Sequence, residues 1–267
     1  MFARISSRHN EKIKFIDKLK KSSNRKKFGT FIVEGFREIL RAHSREFIME
    51  LLFCEKYFTH EDEFHSLIQA FEKNRIQITQ ITAEVYQKIS LRENGDGLIA
   101  LAHSRSMPLD CCIPPENGLF IATENIEKPS NLGAIIRTAE SAGVDGIIIV
   151  DHSTEIFNPN VIRNSQGAVF FANIYEATGE EFLKFAEQHR LSIYATSPRA
   201  QKLYFEEDFR RGTVILMGSE KEGLSDFWLG QKNRIRIPQN GSSDSLNVST
   251  ATAVILYECV RQRTLSK

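Results

Sequence analysis

The chain has 267 residues, which suggests about two domains. Its 41% hydrophobic and 26% charged content excludes a disordered or collagen-like chain, and no run of eighteen apolar residues offers a membrane span. Thirty-five Lys and Arg against 34 Asp and Glu give a net charge of only +1, which at first sight counts against a polyanionic partner.

That charge is unevenly placed. Residues 1–45 carry thirteen basic and four acidic residues, a surplus of nine that leaves residues 46–267 at −8. A polarised chain points to a partner of opposite sign at its basic end, although a solvated helix face has the same composition. Arg8, Lys12, Arg25, Lys26, Lys27 and Arg37 are the candidate contacts to the backbone of such a polyanion, supplying affinity for phosphates without sequence choice. The same segment has Ser6, Ser7 and Ile13/Ile16/Leu19 at helical spacing, as a transit peptide would. Glu11 and Asp17 fall inside it, however, and no apolar signal core is present, so a cytoplasmic protein is expected. Four cysteines without CxxC spacing, and seven histidines without HExxH, give no disulfide scaffold and no expected metal.

In chain order, residues 10–21 read as a basic amphipathic helix, 31–33 as a strand ending at Gly35, and 36–45 as a helix. Strands over 49–53, 76–81 and 98–102 alternate with helices over 62–74 and 83–89. This is the pattern of a small α/β domain over 1–103. The stretch 104–117 carries three prolines and no periodicity, which predicts a linker. A second domain over 118–267 follows, with strands at 119–123, 147–150, 192–196, 214–217 and 234–237. Its helices fall at 131–142, 180–189 and 248–262, the last apolar nearly all round and so expected to be buried. Short β-branched strands argue for a mostly parallel sheet covered on both faces.

Three polar loops adjoin these strands: residues 127–133, 217–225, and 237–241 running on to 245–249. In an open α/β sheet they can meet over one site. No GxGxxG, GxxxxGK[ST] or GxSxG pattern is present, so a phosphate cradle and a hydrolase elbow are both excluded. Each loop also has a plain structural explanation. Ser130 or Asn131 can cap a helix, Glu220 can be solvated, and Ser245 or Asn247 can cap the last helix. The residues alone stop at a polar ligand site.

The run Asn131-Leu132-Gly133-Ala134-Ile135-Ile136-Arg137-Thr138-Ala139 is followed by Gly218-Ser219-Glu220 with Gly223-Leu224-Ser225. Ile237-Pro238 and Ser245-Leu246-Asn247-Val248-Ser249 complete the set. In order and spacing these resemble the three motifs of the SpoU-type (TrmH-like) RNA 2′-O-ribose methyltransferases of the SPOUT superfamily, over roughly 118–264. Phe31-Ile32-Val33-Glu34-Gly35 more loosely resembles the small substrate-binding domain that precedes many members. The resemblance implies an N-terminal α/β substrate-binding domain joined to a Rossmann-like parallel sheet with a deep trefoil knot, a topology periodicity does not reveal. It implies a homodimer through the knotted domain. It also implies S-adenosyl-L-methionine as cofactor, held by Gly218, Ile237 and Leu246, with Thr196 a weaker candidate.

Lys128 stands where many members have an acid, Lys221 where Gly is frequent and Gln239 where Met is common, which bears on substrate choice and not on reaction type. The resemblance implies catalytic roles for Arg137, Asn131, Glu220, Asn247 and Ser245. A guanidinium is effectively never deprotonated, so Arg137 is expected to hold a phosphate bidentately and stabilise developing alkoxide. Asn131 and Asn247 would fix ribose and loops, Glu220 would orient Arg137 or Asn131, and Ser245 would contact nucleotide or cofactor. The expected substrate is ribosomal RNA, with tRNA as the alternative. A non-catalytic RNA- or ribosome-binding protein that kept the knot is a third reading.

Overall fold

The computed structural model describes residues 2–58, 61–105, 107–151, 154–230, 233–242 and 245–265. The chain divides into two units, the first comprising Met1–Arg105 with Phe157–Phe170 and the second Ser106–Ile156 with Phe171–Lys267. No helix among the described residues is long and apolar enough to cross a membrane.

The first unit opens with β1 (Ala3–Ile5), α1 (Glu11–Lys18), α2 (Ser22–Phe28), β2 (Thr30–Glu34) and α3 (Phe36–Ser44). It continues through β3 (Ile48–Phe53), α4 (Glu61–Lys73), β4 (Gln77–Ile81), α5 (Ala83–Ile89) and β5 (Leu98–His103). The sheet order is β1-β4-β3-β5-β2, with β5 antiparallel to both neighbours and the other pairs parallel. Helix α1 starts where the Asn10 side chain accepts from the Lys12 N–H at 2.9 Å, and it buries Ile13 and Ile16 one turn apart. The helix expected over 10–21 therefore breaks after Lys18, and a second short helix follows that apolar spacing did not announce.

The second unit holds β6 (Met107–Pro108), β7 (Leu119–Glu124), α6 (Pro129–Ala142) and β8 (Gly146–Val150). The next helix, α7 (Pro159–Asn164), belongs to the first unit. The second unit then resumes with β9 (Ile174–Ala177), α8 (Gly179–Gln188), β10 (Ser192–Thr196), β11 (Lys202–Leu203) and β12 (Thr213–Met217). It ends in α9 (Asp226–Leu229), β13 (Arg234–Arg236) and α10 (Val248–Thr264). All eight strands run parallel in the order β11-β13-β10-β12-β7-β8-β9-β6. Every residue of β7, β8 and β12 is buried, as strands covered on both faces require.

Three expectations change. The stretch 104–117 is not a free linker: Met107 and Pro108 pair with Tyr175 and Glu176 of β9, and Leu109 and Cys112 join the core around Phe120 and Phe185. Two apolar side chains anchor a segment whose prolines suggested only a spacer. Helix α10 is not buried all round. Thr252, Ile255, Leu256 and Cys259 are buried, while Tyr257 is 51% exposed. Finally, residues 157–170 pack into the first unit. There Phe157 stacks on Phe31 at 4.4 Å between centroids, Phe170 lies 5.1 Å from the Phe47 ring, and Arg41 donates to the Gln166 carbonyl at 2.7 Å.

Candidate active site

Strand β7 lies at the topological switch point of the parallel sheet. Its continuation through α6 leads to β8 on one side, whereas β12, β10 and β13 occupy the other. Ligands in such sheets bind outside the carboxyl ends of the strands at this crevice. There β10, β12 and β13 end beside a cleft of about 630 Å³, within the size range of small-molecule sites. Asn131, Thr196, Gly218, Glu220, Ile237, Ser245, Leu246 and Asn247 all line it, so three loops distant in sequence converge as expected.

The loop after β12 folds back on itself. Ser219 and Gly223 exchange backbone hydrogen bonds of 2.9 and 3.1 Å, with Gly223 in the left-handed region at φ 73°. A Cβ on Gly218 would collide with the backbone of Gly223 and Leu224, so only glycine admits this close return. The fold-back sets Glu220 opposite the start of α6. Its carboxylate accepts from Asn131 Nδ2 at 2.6 Å and from the backbone N–H groups of Glu127 and Lys128 at 3.1 and 3.2 Å. Asn131 Oδ1 in turn accepts from Asn247 Nδ2 at 3.1 Å. Asn247 Oδ1 caps α10 by accepting from the Ser249 N–H at 3.0 Å. One chain of amide and carboxylate bonds, Asn247 to Asn131 to Glu220, thus ties the three loops together.

Burial opposes the charge of Glu220, but the Asn131 amide and the converging N–H groups outweigh it, and its carboxyl is held below the ordinary value of 4.5. It is an anion at neutral pH with its acceptor sites occupied. That makes it an organiser of loops and not a proton acceptor.

Thr196 Oγ1 donates to the Leu216 carbonyl at 2.9 Å, so its hydroxyl locks β10 to β12 while its body lines the cleft. Leu246 is 40% exposed there although apolar, and Met217, Ile235 and Ile255 supply further apolar wall. Such a wall beside strand-end backbone groups suits a flat aromatic ring with a polar tail. The chemistry of S-adenosylmethionine fits it.

Arg137 is not brought to this cleft. It lies exposed on α6 and makes no side-chain hydrogen bond or ion pair to any described residue. Six residues separate it from Asn131, about 120° round a helix, so the two face different directions. Glu220 accordingly orients Asn131 and not Arg137. Among the expected RNA contacts, Arg25 is corrected. Only 4% exposed, it donates to the Leu19 and Lys20 carbonyls at 2.8 Å and closes the C-terminus of α1. Lys12 pairs with Glu50 at 2.8 Å and Arg8 donates to the Glu84 carbonyl at 3.0 Å. Arg37 donates to Gln166 Oε1 at 3.2 Å, and Lys26 and Lys27 stay exposed.

Sequence reasoning missed Glu124, buried at the end of β7. It accepts from both the N–H and the hydroxyl of Ser225 at 2.8 and 2.7 Å and so pins the far end of the β12 loop. A lone acid closing an apolar strand was the available signal. It also missed Arg199 and Arg236, which line the cleft from the loops after β10 and at the end of β13. No group of three or more metal-ligating side chains is found among the described residues.

Residues 118–257 match the SpoU rRNA Methylase family and residues 10–100 the MRM3-like substrate binding domain. The chain is similar to the crystal structure of an AdoMet-bound rRNA methyltransferase from Sinorhizobium meliloti. The TM-score is 0.88 and the identity 27%, over 97% of this chain and 98% of that one. A 23S rRNA (uridine(2479)-2′-O)-methyltransferase from Streptomyces viridochromogenes is 26% identical over 97% of this chain and 92% of its own length. A tRNA (guanosine(18)-2′-O)-methyltransferase from Thermus thermophilus is 35% identical, but over only 55% of this chain and 75% of its own length.

Proposed function

The chain belongs to the SpoU rRNA methylase family, and from that premise we propose that it transfers a methyl group from S-adenosylmethionine to a ribose 2′-hydroxyl of ribosomal RNA. The observation that carries this reading is the Asn247–Asn131–Glu220 chain, which holds three motif loops around one cleft at the switch point. Ribosomal RNA is preferred to tRNA because the rRNA relative matches along both units, whereas the tRNA relative covers about half the chain. The four cysteines, all free, fit a reducing cytoplasm.

The cofactor, when bound, supplies an electrophilic methyl group. Strand-end backbone at Gly218, Ile237 and Leu246, with Thr196 beside them, would hold it. The chain's own task is to place a weakly nucleophilic hydroxyl in line and to stabilise the charge it develops. Positioning contributes most of such an acceleration, and acid–base assistance about 10²–10⁴. Asn131, held through both its amide oxygen and its amide nitrogen, and Asn247, held likewise, present fixed amides to the ribose. Arg137 serves as a bidentate clamp for the adjoining phosphate.

Since Arg137 faces away from this chain's own cleft, we place it in the cleft of a second copy. The half-exposed Tyr257, on the α10 helix that packs against α6, supports a homodimer through this face. The knot implied by the family motifs is part of the same proposal.

The test is methyl transfer from labelled S-adenosylmethionine to ribosomal RNA, with 2′-O-methylation mapped in cells with and without the gene. Label on a base instead of the sugar would sink the reading, as would loss of no ribose methylation on deletion. Arg137→Ala should lower kcat about 10²–10³-fold, the range for removing one charge-stabilising donor, with cofactor binding intact. A near-normal rate in Arg137→Lys would contradict the bidentate role.

A further inference from the structure

Residues 46–267 carry a net charge of −8, yet the rim of the cleft is basic. Lys128 and Lys221 stand on the side of β7 and β12, and Arg199 and Arg236 on the side of β10 and β13. The lysines differ from the arginines in what they already hold. Lys221 leans toward Glu127 at 3.6 Å and Lys128 precedes the first turn of α6. Neither arginine side chain makes a hydrogen bond or ion pair with any described residue. Of the two acids that line the cleft, Glu220 is committed to Asn131 and two backbone N–H groups.

The two arginines are also held close along the sheet. Ile235 pairs with Thr196 across β13 and β10, and the Ser197 N–H donates to the Ile235 carbonyl at 3.0 Å. Arg236 is thus the next residue of β13, and Arg199 follows Ser197 by two positions after the Ser197 hydroxyl accepts the Arg199 N–H at 3.3 Å. Two guanidinium groups without a side-chain partner among the described residues, on adjoining, hydrogen-bonded segments at the mouth of a cleft, can converge on one anion. Their fork geometry matches a phosphate diester.

Resting on the reading that this cleft methylates RNA, we infer that Arg199 and Arg236 form a phosphate seat for the RNA strand, on the opposite side of the cleft from Asn131. The seat lies two to three strands from β7, so it touches the backbone of a neighbouring nucleotide and not the reacting ribose. The arginines are positioning residues. They convert backbone binding into placement of the target sugar and leave the chemical step itself alone.

The full-length protein is compared with R199A/R236A and R199K/R236K, using an in vitro transcribed large-subunit ribosomal RNA as probe. Filter binding, methyl transfer and calorimetry with S-adenosylmethionine are read together. Expected for the alanine pair is a roughly tenfold or greater rise in Kd and KM for RNA, with kcat within about threefold. The slope of log Kd against log salt should fall by about 0.7, the loss of one single-strand phosphate contact. Cofactor affinity stays unchanged, and the lysine pair recovers most of the salt slope while binding RNA less tightly than the native protein. Unchanged RNA affinity and slope would overturn the inference. So would a parallel loss of cofactor affinity, which would assign the arginines to the cofactor's carboxylate. If the native protein transfers no methyl group to RNA, the enzymatic reading fails, and the binding slope still decides the arginines separately.

Discussion

Two glutamates, one in each unit, sit in similar surroundings and do different work. Glu34 ends β2 and is 5% exposed, accepting from the Tyr86 hydroxyl at 3.0 Å, the Ser90 hydroxyl at 2.6 Å and the Leu91 N–H at 2.7 Å. Arg92 closes over it, donating to the Glu34 carbonyl at 2.7 Å and lying 3.3 Å from Glu38. The space beside it is about 20 Å³, room for one water. Glu220 likewise accepts from one side chain and two backbone N–H groups, but it borders a cleft of about 630 Å³. A satisfied carboxylate network is a staple where its partners enclose no usable space. It becomes a site where it joins loops that bound a void. Hydrogen-bond inventory alone does not separate the two; the space between the loops does.

The sharpest way to break this comparison is Glu34→Ala. It strands one buried and two part-buried donors and should cost about 3–5 kcal/mol, read as a fall of roughly 10–20 °C in the unfolding transition of the first unit. Cofactor affinity of the molecules still folded should not change. Next in size is Gly218→Ala, whose methyl cannot fit against Gly223 and Leu224. Calorimetry should show cofactor binding weakened about 10²-fold or more, with a far smaller thermal shift than Glu34→Ala produces.

Glu220→Gln keeps shape but loses the charge that attracts the Glu127 and Lys128 N–H groups, and should lower methyl transfer about 10–100-fold, since hydrogen bonds to charged groups are worth about 1.5–3 kcal/mol. A thermal shift as large as that of Glu34→Ala would make Glu220 a staple too and dissolve the distinction. The smallest effect is an expected flat line. The Glu220 carboxyl is held below 4.5, so its stabilisation of the loops is complete above that value and lost as pH falls through its lowered pKa. Cofactor affinity should therefore not vary between about pH 5.5 and 8 on its account. A midpoint near neutrality would assign the loops to another group.

Much of the second unit was legible because its strands are short apolar runs followed by polar, glycine-bearing loops, and the strands expected at 147–150 and 214–217 fall within β8 and β12. The convergence of Asn131, Glu220 and Asn247 was legible only through resemblance, since each residue also reads as a cap. That Arg137 faces away from its own chain's cleft was legible as well: a six-residue spacing from Asn131 puts it on another face of the helix. The burial of Arg25 was not. A basic run does not say which of its cations will turn inward to satisfy the carbonyl groups ending α1. β1, β9 and α2 escaped notice for a simpler reason. Three or four residues make no period, and Ser22–Phe28 carries one apolar residue.

The placement of Phe157–Phe170 sets an order of events during synthesis. The first unit is earliest in the chain, but Phe31 and Phe47 obtain their aromatic partners only when residue 170 has left the ribosome. At roughly 5–20 residues per second, the nascent N-terminal part waits several seconds after Arg105 with that face of its sheet uncovered. β7, α6 and β8 are all made within that interval. The first unit to be translated is therefore not free to finish first, and a chaperone or the ribosome surface would meet its uncovered phenylalanines before the cell has any use for its basic ones.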